Sequence, residues 1–537
     1  MPKRKSVHSL ERLCLENVAR NMEHVWVKDY STDAYLRRYH CRYSVGPFSV
    51  WAGVLVQELI QCLRERKLLT SSLLCSLLLP QLKELHLTMC PNLVSEPMAH
   101  IIAVRCKNLS LLDLRGCSQV PACVLADLVE GLPCLVRLDL AVTQCDTQVL
   151  WAVGSSCFRL RQLDITACER VTPDSLIHLA YDPVAKSFRS SALQILEVWG
   201  LEPHSDKLDI LWALVFVLLA LPNLKYIGHD SVAEAVCLIY HQQFDRAQVV
   251  PGFPSLKEVA SHRRSTHMTE GTPGLTLALR EIYGVDETSW PMACAVCPHL
   301  EEASFSFMES FDIAQTFLSW RNLVHLAINC SPRRNLRELL PVTSALRARL
   351  QSLSLDGYSL EDGSSFHTLL THCQNLQIVR VILFPPESGG HGWWTGDESP
   401  AWQFALPPLH FPHLRDFSLM YSNTEHSQRV MALGKSLISL LRHSPCLEIL
   451  YLMCLPFPMD EVFQKVLGAP GTALQQLSEL SLIQNEVSAH AINLLLSSEN
   501  KLGYLRLDMC SGMRPTEYKE VKRRIRREGL DVHLVWE

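Results

Sequence analysis

The sequence predicts an α/β solenoid, in which short parallel strands alternate with helices along one continuous core. Three observations predict this class. A nine-residue pattern of leucines recurs in the first third of the chain, segments with helical spacing of apolar residues fill the gaps between its copies, and the same pattern returns near the end of the sequence. Because one such unit cannot bury its own apolar face, its copies must stack on one another.

The pattern is clearest in four segments that begin at Leu82, Leu109, Leu135 and Leu160. Each has the form L-x-x-L-x-L-x-x-C/T, and their first leucines lie 27, 26 and 25 residues apart. Side chains alternate along a strand, so the last two leucines of each segment share one face. This spacing is typical of a leucine-rich repeat. A full copy returns at Leu502, and this regularity disfavours separate α/β domains that share the pattern by chance.

Less regular copies occupy the middle of the chain. They keep apolar residues at the strand positions and begin at Leu193, Leu224, Leu256, Leu300, Leu323, Leu350, Leu376, Leu414, Leu447 and Leu477. We therefore predict a leucine-rich-repeat horseshoe over residues 76–537, preceded by a short helical module over 1–75. Irregular insertions are expected near 260–275 and 384–405. The apolar run from Ile210 to Leu221, about 12 residues, is too short to span a bilayer and predicts a buried helix.

Composition narrows the class of function. The chain has 537 residues, of which 48% are hydrophobic, and its net charge of −5 gives no electrostatic footprint for nucleic acid. It has 20 cysteines and no apolar leader, which indicates a reduced protein of the cytoplasm, the nucleus or both. Two local basic groups stand out. Lys3-Arg4-Lys5 resembles an import signal, but short basic tails of this kind are more often solvated termini. The cations from Lys519 to Arg527 predict the polar face of a terminal helix.

No pattern of residues points to catalysis, a cofactor or a metal. Four cysteines stand three residues before a repeat leucine, a recurrence that indicates packing at the turn from helix to strand: Cys106, Cys157, Cys297 and Cys373. Cys294 and Cys297 form a C-x-x-C pair, but no second pair follows at zinc-finger spacing. Phosphate-binding glycine loops and hydrolase motifs are absent from the sequence. We expect a binding protein rather than an enzyme.

The segment that starts at Ser9 carries the sharpest functional signal. Leu10, Cys14 and Val18 recur every four residues and form one helical stripe, which Leu13 and Met22 are expected to widen. The segment Ser9 to Val18 resembles the elongin BC-box, S/T/P-L-x-x-x-C-x-x-x-apolar, of cullin–RING ubiquitin ligase receptors. That resemblance implies that Leu10, Cys14 and Val18 bind elongin C within the elongin B/C pair. The alternative is a helix that caps the open end of the solenoid.

A second segment resembles the box that selects a cullin in such receptors. Pro47, Val50 and Val54 match the cullin-2 pattern apolar-P-x-x-apolar-x-x-x-apolar, whereas Gly46 departs from its first position. The L-P-apolar-P motif of cullin-5 receptors is absent. The stretch through Glu58 to Leu63 also faintly resembles the start of an F-box, although the usual Leu-Pro opening is missing.

Together these segments resemble the Zyg-11/Zer-1 group of cullin-2 receptors. The resemblance implies a substrate-recognition subunit of an elongin BC–cullin-2 ubiquitin ligase. The alternatives are a non-ligase scaffold and an F-box-type receptor. The armadillo-like part by which that group reads its substrates has no counterpart here, because the repeats continue to the end of the sequence. Substrate choice therefore does not follow from the resemblance.

The most irregular insertion contains three tryptophans, Trp393, Trp394 and Trp402, among glycine, proline and acidic residues. Aromatic residues of this kind often anchor interfaces, which makes the loop a candidate substrate-binding segment. The alternative is a loop that folds back on the solenoid, with the tryptophans as local packing. The protein substrate itself is unknown.

Overall fold

The computed structural model describes residues 2, 9–26, 28–29, 44–45, 47–88, 90–201, 207–244, 250–266, 275–307, 322–347, 349–360, 364–385, 406–422, 428–468 and 473–536. The chain forms two compact units. The amino-terminal unit comprises His8–Gly284 with Pro291–His299, and the carboxy-terminal unit comprises Val285–Trp290 and Leu300–Glu537. The boundary predicted between residues 75 and 76 stays a prediction.

Helices and strands alternate along most of the described chain. The α-helices are α1 (Leu10–Arg20), α2 (Gly53–Glu65), α3 (Ser71–Leu77), α4 (Glu96–Arg105), α5 (Ala122–Glu130), α6 (Thr147–Ser156), α7 (Pro173–Ala180), α8 (Lys207–Ala220), α9 (Val232–His241), α10 (Leu256–Thr266), α11 (Trp290–Val296), α12 (Leu340–Leu346), α13 (Ser365–His372), α14 (Gln428–Arg442), α15 (Met459–Leu467), α16 (Ala489–Ser497) and α17 (Pro515–Arg527). The strands are β1 (Lys28–Asp29), β2 (Ser44–Val45), β3 (Glu84–His86), β4 (Leu111–Asp113), β5 (Arg137–Asp139), β6 (Gln162–Asp164), β7 (Tyr181–Asp182), β8 (Ser187–Phe188), β9 (Ile195–Glu197), β10 (Tyr226–Gly228), β11 (Glu281–Val285), β12 (Glu302–Phe307), β13 (His325–Asn335), β14 (Ser352–Ser359), β15 (Ile378–Phe384), β16 (Asp416–Tyr421), β17 (Ile449–Met453), β18 (Glu479–Ile483), β19 (Tyr504–Asp508) and β20 (His533–Trp536).

The amino-terminal unit contains a parallel sheet built from the repeat strands. Its order is β10-β9-β6-β5-β4-β3, with the two-residue strands β7 and β8 set aside as a small antiparallel hairpin. The central leucines of neighbouring strands pair in register and are all buried: Leu85, Leu112, Leu138, Leu163 and Leu196. Fully burying each such leucine contributes roughly 1.5–3 kcal/mol, so the stacked repeats supply the core that none of them has alone.

The carboxy-terminal unit repeats this arrangement with longer strands. Strands β12 to β20 lie side by side in sequence order, and every pair is parallel. Leu450, Leu480 and Leu505 face one another in register, and each is completely buried. The predicted class, an α/β leucine-rich-repeat solenoid with parallel strands, is confirmed.

The small residue that ends each repeat signature closes the turn after the strand. The Cys168 thiol lies 3.1 Å from the carbonyl oxygen of Leu140 in the preceding repeat, and the Cys510 thiol lies 3.2 Å from that of Leu482. The Thr143 hydroxyl donates to the Leu140 carbonyl at 2.6 Å. A thiol or hydroxyl at this position therefore fills the turn and also provides a hydrogen-bond donor.

The cysteines that precede the repeat leucine are core residues, as their recurrence predicts. Cys106, Cys157 and Cys373 each follow the last residue of a helix and are buried, and burial raises the pKa of all three thiols to about 12. Cys297 is also fully buried, with its pKa raised for the same reason. These thiols are therefore protonated at neutral pH and act as small apolar side chains.

The apolar run from Ile210 to Leu221 forms most of α8 and is buried, as predicted, except at the half-buried Trp212. Among the described helices, none is both long enough and apolar enough to cross a bilayer.

The prediction of a repeat strand at Leu256 and Val259 was wrong, because this segment forms α10. The spacing of Leu256, Val259 and Ala260 is helical, and Ser255 caps the helix. The Ser255 backbone N–H and hydroxyl both donate to the Glu258 carboxylate, at 2.7 and 2.9 Å. This pair is a capping box, a local sequence signal that favours the start of a helix at this point over a repeat strand.

The insertion expected near 260–275 also needs correction in its first part. Residues up to Thr266 belong to α10, and Arg263 is buried rather than displayed on a polar loop. Residues 267–274 lie outside the described part of the chain. The strands β11 and β20 were not predicted, because neither carries the leucine signature.

A buried histidine makes the stability of the carboxy-terminal unit depend on pH. His367 is almost completely buried, its Nε2 lies 2.8 Å from the Pro407 carbonyl oxygen, and burial lowers its pKa below the ordinary 6.5. The folded state therefore favours neutral imidazole, while the unfolded chain protonates near pH 6.5. Stability is unaffected above that pH and is lost as the pH falls from there towards the lowered pKa.

We expect His367→Gln to make the decline in unfolding free energy between pH 7 and pH 5 less steep than in the parent protein. Urea unfolding at several pH values measures this slope. His490→Gln, at an exposed position of α16, is the matched control and should leave the slope unchanged. If both variants show the same slope, His367 is not the source of the pH dependence.

Candidate adaptor-binding site

The candidate site lies on α1, which begins where the sequence predicts. Ser9 is the N-cap, and its hydroxyl oxygen accepts a hydrogen bond from the Arg12 backbone N–H at 3.1 Å. Glu11 lies in the first turn and Arg20 in the last, so both charges are favourably placed relative to the helix dipole. Local sequence alone thus accounts for the start of this helix.

The two faces of α1 differ sharply in exposure. Leu15 and Ala19 are buried where α1 packs against α2. On the other face, the Leu10 side chain is 78% exposed, Cys14 is exposed and Val18 is half-buried. The three residues of the predicted stripe therefore share one face of the helix, and the first two, Leu10 and Cys14, are exposed to solvent.

The prediction that Leu13 and Met22 widen this face is correct for Leu13 and wrong for Met22. Leu13 is 39% exposed and extends the open face. Met22 lies beyond the end of α1, in a short π-helical turn over Met22–Trp26, and is almost completely buried. Each step of four residues advances about 40° around an α-helix, so Met22 lies about 120° from Leu10 and falls on the buried side.

Ion pairs hold α1 against the end of α2. An Arg12 guanidinium nitrogen lies 2.6 Å from a Glu65 carboxylate oxygen, and Arg66 lies 2.6 Å from Glu16, whose side chain is buried. The hydrogen bond from Arg12 lowers the pKa of Glu65. The polar contacts of α1 thus lie on its inward side, which leaves the apolar side chains of its outer face uncovered by this unit.

The open edge of the amino-terminal sheet is covered by α2 rather than by α1. The Gln57 side-chain amide donates to the carbonyl oxygen of Glu84 at 3.4 Å, and Arg64 donates to that of His86 at 3.0 Å. Both carbonyls belong to the edge strand β3. Capping of the solenoid is therefore carried out by α2.

The residues that resemble a cullin box lie in the turn before α2 and in its first turn. Pro47–Val50 form a single 3₁₀ turn, anchored by the fully buried Phe48. Val50 is 87% exposed and Val54 is 64% exposed, so both side chains are available to a partner. The Pro47 side chain lies outside the described residues.

Two residues that fix this turn were not singled out from the sequence. The Gln81 side chain donates to the backbone carbonyls of Ser49 and Trp51, both at 3.1 Å. A Cβ at Gly53 would stand 2.3 Å from the Gln81 carbonyl oxygen, so only glycine allows the chain to approach this closely. The glycine at position 53 is visible in the sequence as a possible site of close backbone approach. Its long-range contact with Gln81 is not visible there.

The candidate substrate residues Trp393, Trp394 and Trp402 lie outside the described residues. The open face of the amino-terminal sheet carries a row of carboxylates instead, from Asp113, Asp139 and Asp164 in register. Each accepts a hydrogen bond from the backbone N–H two residues later, and Arg115 donates to Asp139 at 3.2 Å. These aspartates therefore have a structural role in ending their strands.

No group of three or more potential metal ligands occurs among the residues that the structure describes. Burial raises the pKa of Cys294 to about 12, which keeps this member of the C-x-x-C pair protonated at neutral pH.

Comparison with known proteins yields structural matches alone: no family model and no curated protein matches the sequence. The chain is similar to a solved structure of the Rad7 and Elc1 complex from yeast, with 13% identity and a TM-score of 0.37 over 96% of this chain and 91% of that chain. It is similar to an internalin from Listeria monocytogenes, with 10% identity and a TM-score of 0.28 over 82% of each chain. A third match is a Bacteroides fragilis protein, with 11% identity and a TM-score of 0.29 over 53% of this chain and 84% of that chain. Similarity at this level assigns no function, so the proposal below depends on the residues of this chain.

Proposed function

We propose that this protein is the substrate-recognition subunit of an elongin BC–cullin ubiquitin ligase, with α1 as its elongin C-binding helix. The observation that carries the proposal is the outward stripe of Leu10 and Cys14 on a helix whose other face is buried. An exposed apolar stripe on an ordered helix is typical of a surface that a partner covers. The match of the same residues to the BC-box names elongin C as that partner.

The capping alternative predicts a different burial pattern. A helix that closes the solenoid would turn Leu10, Cys14 and Val18 towards the first repeat. Instead, the hydrogen bonds to the edge strand β3 come from α2, and α1 lies against α2. The capping role therefore does not require the stripe on α1, and this supports the adaptor reading.

Within this proposal, Val50 and Val54 contact the cullin, and cullin-2 is the favoured type. Their exposure of 87% and 64% supports the assignment, because it leaves both apolar side chains available to a partner. The receptor would hold a target protein near a ubiquitin-loaded partner and would supply no catalytic residue. Substrate binding is assigned to the repeat surface, with the segment of Trp393, Trp394 and Trp402 as its candidate anchor.

The F-box alternative ranks below the elongin reading for a structural reason. The apolar residues that suggested an F-box, Leu59, Ile60 and Leu63, are buried on the inner side of α2. They hold the module together and are not available to an adaptor.

Purified full-length protein mixed with elongin B/C tests the proposal directly. We expect a stable complex on size-exclusion chromatography, and we expect this complex, but not the protein alone, to recruit cullin-2. The adaptor protein of F-box ligases, mixed in parallel, should remain unbound. If folded protein fails to bind elongin B/C, the scaffold reading replaces the proposal.

The cullin contact has its own test. Val50→Asp with Val54→Asp should leave elongin B/C binding intact and should weaken cullin-2 recruitment by about 10-fold or more, because two charges replace apolar contacts. Titration of cullin-2 into the preformed elongin complex measures this loss. Val184→Asp, at another exposed valine, is the control. If the Val50→Asp, Val54→Asp variant recruits cullin-2 as well as this control does, Val50 and Val54 do not belong to the interface.

A further inference from the structure

The outward face of α17 carries a row of basic side chains. Lys519, Lys522, Arg523 and Arg526 are spaced at i, i+3, i+4 and i+7, which places them on one helical face, and Arg527 lies beside them. All five are exposed. On the opposite face, Val521 and Ile525 are buried and pack α17 onto the unit. We call these five residues the basic face.

Two of the three carboxylates on α17 and at its end are engaged elsewhere, whereas Glu520 is exposed one turn before Arg523. Glu517 accepts a hydrogen bond from the Arg514 backbone N–H at 2.7 Å, as part of the helix cap. Glu528 pairs with the inward-lying Arg524 at 2.9 Å and is only a distant partner for Arg527, at 3.8 Å. The basic face thus keeps most of its positive charge, although the whole chain has a net charge of −5.

The basic face borders a depression between α17 and α16. This depression has a volume of about 460 Å³ and is lined by Asn493, Glu520, Arg523, Arg524 and Arg527. Arg524 is fixed there by hydrogen bonds of 2.9 Å to Asn493 and 2.8 Å to Ser497. Arg523 and Arg527 stand one helical turn apart on its rim.

We propose that the basic face docks a short acidic segment of a partner polypeptide, whose Asp or Glu side chains pair with Arg523 and Arg527. Charge complementarity carries this inference. A guanidinium group presents two parallel N–H donors that match a carboxylate, and two such groups one turn apart, about 5–6 Å, fit carboxylates on a short peptide. The proposal does not depend on elongin binding.

Nucleic acid fits the same surface less well. The row from Lys519 to Arg526 covers only about 10 Å along the helix axis, which engages very few phosphates. The negative net charge of the chain also opposes the approach of a long polyanion more than that of a short acidic segment.

Fluorescence anisotropy with full-length protein and a labelled octaglutamate peptide tests the proposal. We expect saturable binding that weakens with added salt and is tighter than binding of an octathymidylate strand. Arg523→Glu with Arg527→Glu should raise the Kd by about 10-fold or more, because attraction becomes repulsion at both contacts. Arg523→Gln with Arg527→Gln, which adds no new charge, should raise it by a smaller factor.

The matched control is Lys107→Glu with Arg159→Glu, which changes the net charge equally at exposed positions of the amino-terminal unit. This variant should bind the peptide like the parent protein, and thermal melting checks that every variant is folded. The proposal is overturned if octaglutamate shows no saturable binding or if the control variant loses binding equally. Tighter binding of octathymidylate would overturn it in favour of a nucleic-acid site.

Discussion

Protein carrying Leu10→Ser and Cys14→Phe should lose elongin B/C binding while keeping its fold. The Leu10 side chain is 78% exposed and Cys14 is exposed on the same face, so neither contributes to the core of this unit. Burial of one leucine in a partner pocket is worth about 2–3 kcal/mol, and a phenylalanine at position 14 would also hold the two helices apart. We expect the Kd for elongin B/C to rise by at least about 100-fold, as measured by titration calorimetry.

Two controls separate binding from folding. Val184→Ser makes the same kind of change at a distant valine that is 88% exposed, and it should leave both affinity and stability unchanged. Leu15→Ser replaces a leucine on the buried face of α1 and should instead destabilise the protein. Unchanged affinity in the folded Leu10→Ser, Cys14→Phe variant would exclude the stripe as the elongin site.

The largest loss of stability from a single polar residue is expected at Arg263. Its guanidinium lies inside the amino-terminal unit, where Nη1 donates to the carbonyl oxygens of Leu218 and Leu219 at 3.0 and 3.2 Å, and Nε donates to that of Thr276 at 3.1 Å. The first two carbonyls belong to the last turn of α8, where backbone acceptors lack partners within the helix. Burial lowers the pKa of Arg263 to about 10, so it remains charged at neutral pH and complements the helix dipole.

We expect Arg263→Leu to lower the free energy of unfolding by about 3 kcal/mol, since three carbonyl groups lose their donors in a site that water does not reach freely. Urea unfolding monitored by circular dichroism measures the change. Arg264→Leu is the matched control, because the neighbouring Arg264 is exposed, and its effect should stay within about 0.5 kcal/mol. Equal effects of the two substitutions would show that the buried contacts of Arg263 contribute nothing specific.

The burial of Arg263 could not be predicted from the sequence around it. The stretch His262-Arg263-Arg264 reads as a polar insertion, and two adjacent arginines give no sign that one is buried and the other exposed. The difference arises from α8, whose terminal carbonyls meet α10 only in the folded unit. The hydrogen bond joins residues about 45 positions apart in the sequence, so no local pattern of residues predicts it.

The repeat architecture and the start of the candidate helix both follow from the amino-acid sequence alone. Both are local properties: the period-two burial of L-x-L, the recurring cysteine at the turn, and the Ser9 cap are all set by residues close together in the chain. The sequence also placed Leu10, Cys14 and Val18 on one stripe, because helical periodicity alone fixes their common face.

The direction in which that stripe points follows from tertiary packing and not from the helical pattern. The choice depends on α2, which covers the edge of the sheet through Gln57 and Arg64 and receives the opposite face of α1 through contacts with Leu15 and Ala19. An amphipathic pattern specifies that one face is apolar, but not whether the core or a partner covers it, because both environments remove the same side chains from water. Packing between elements distant in sequence supplies that information.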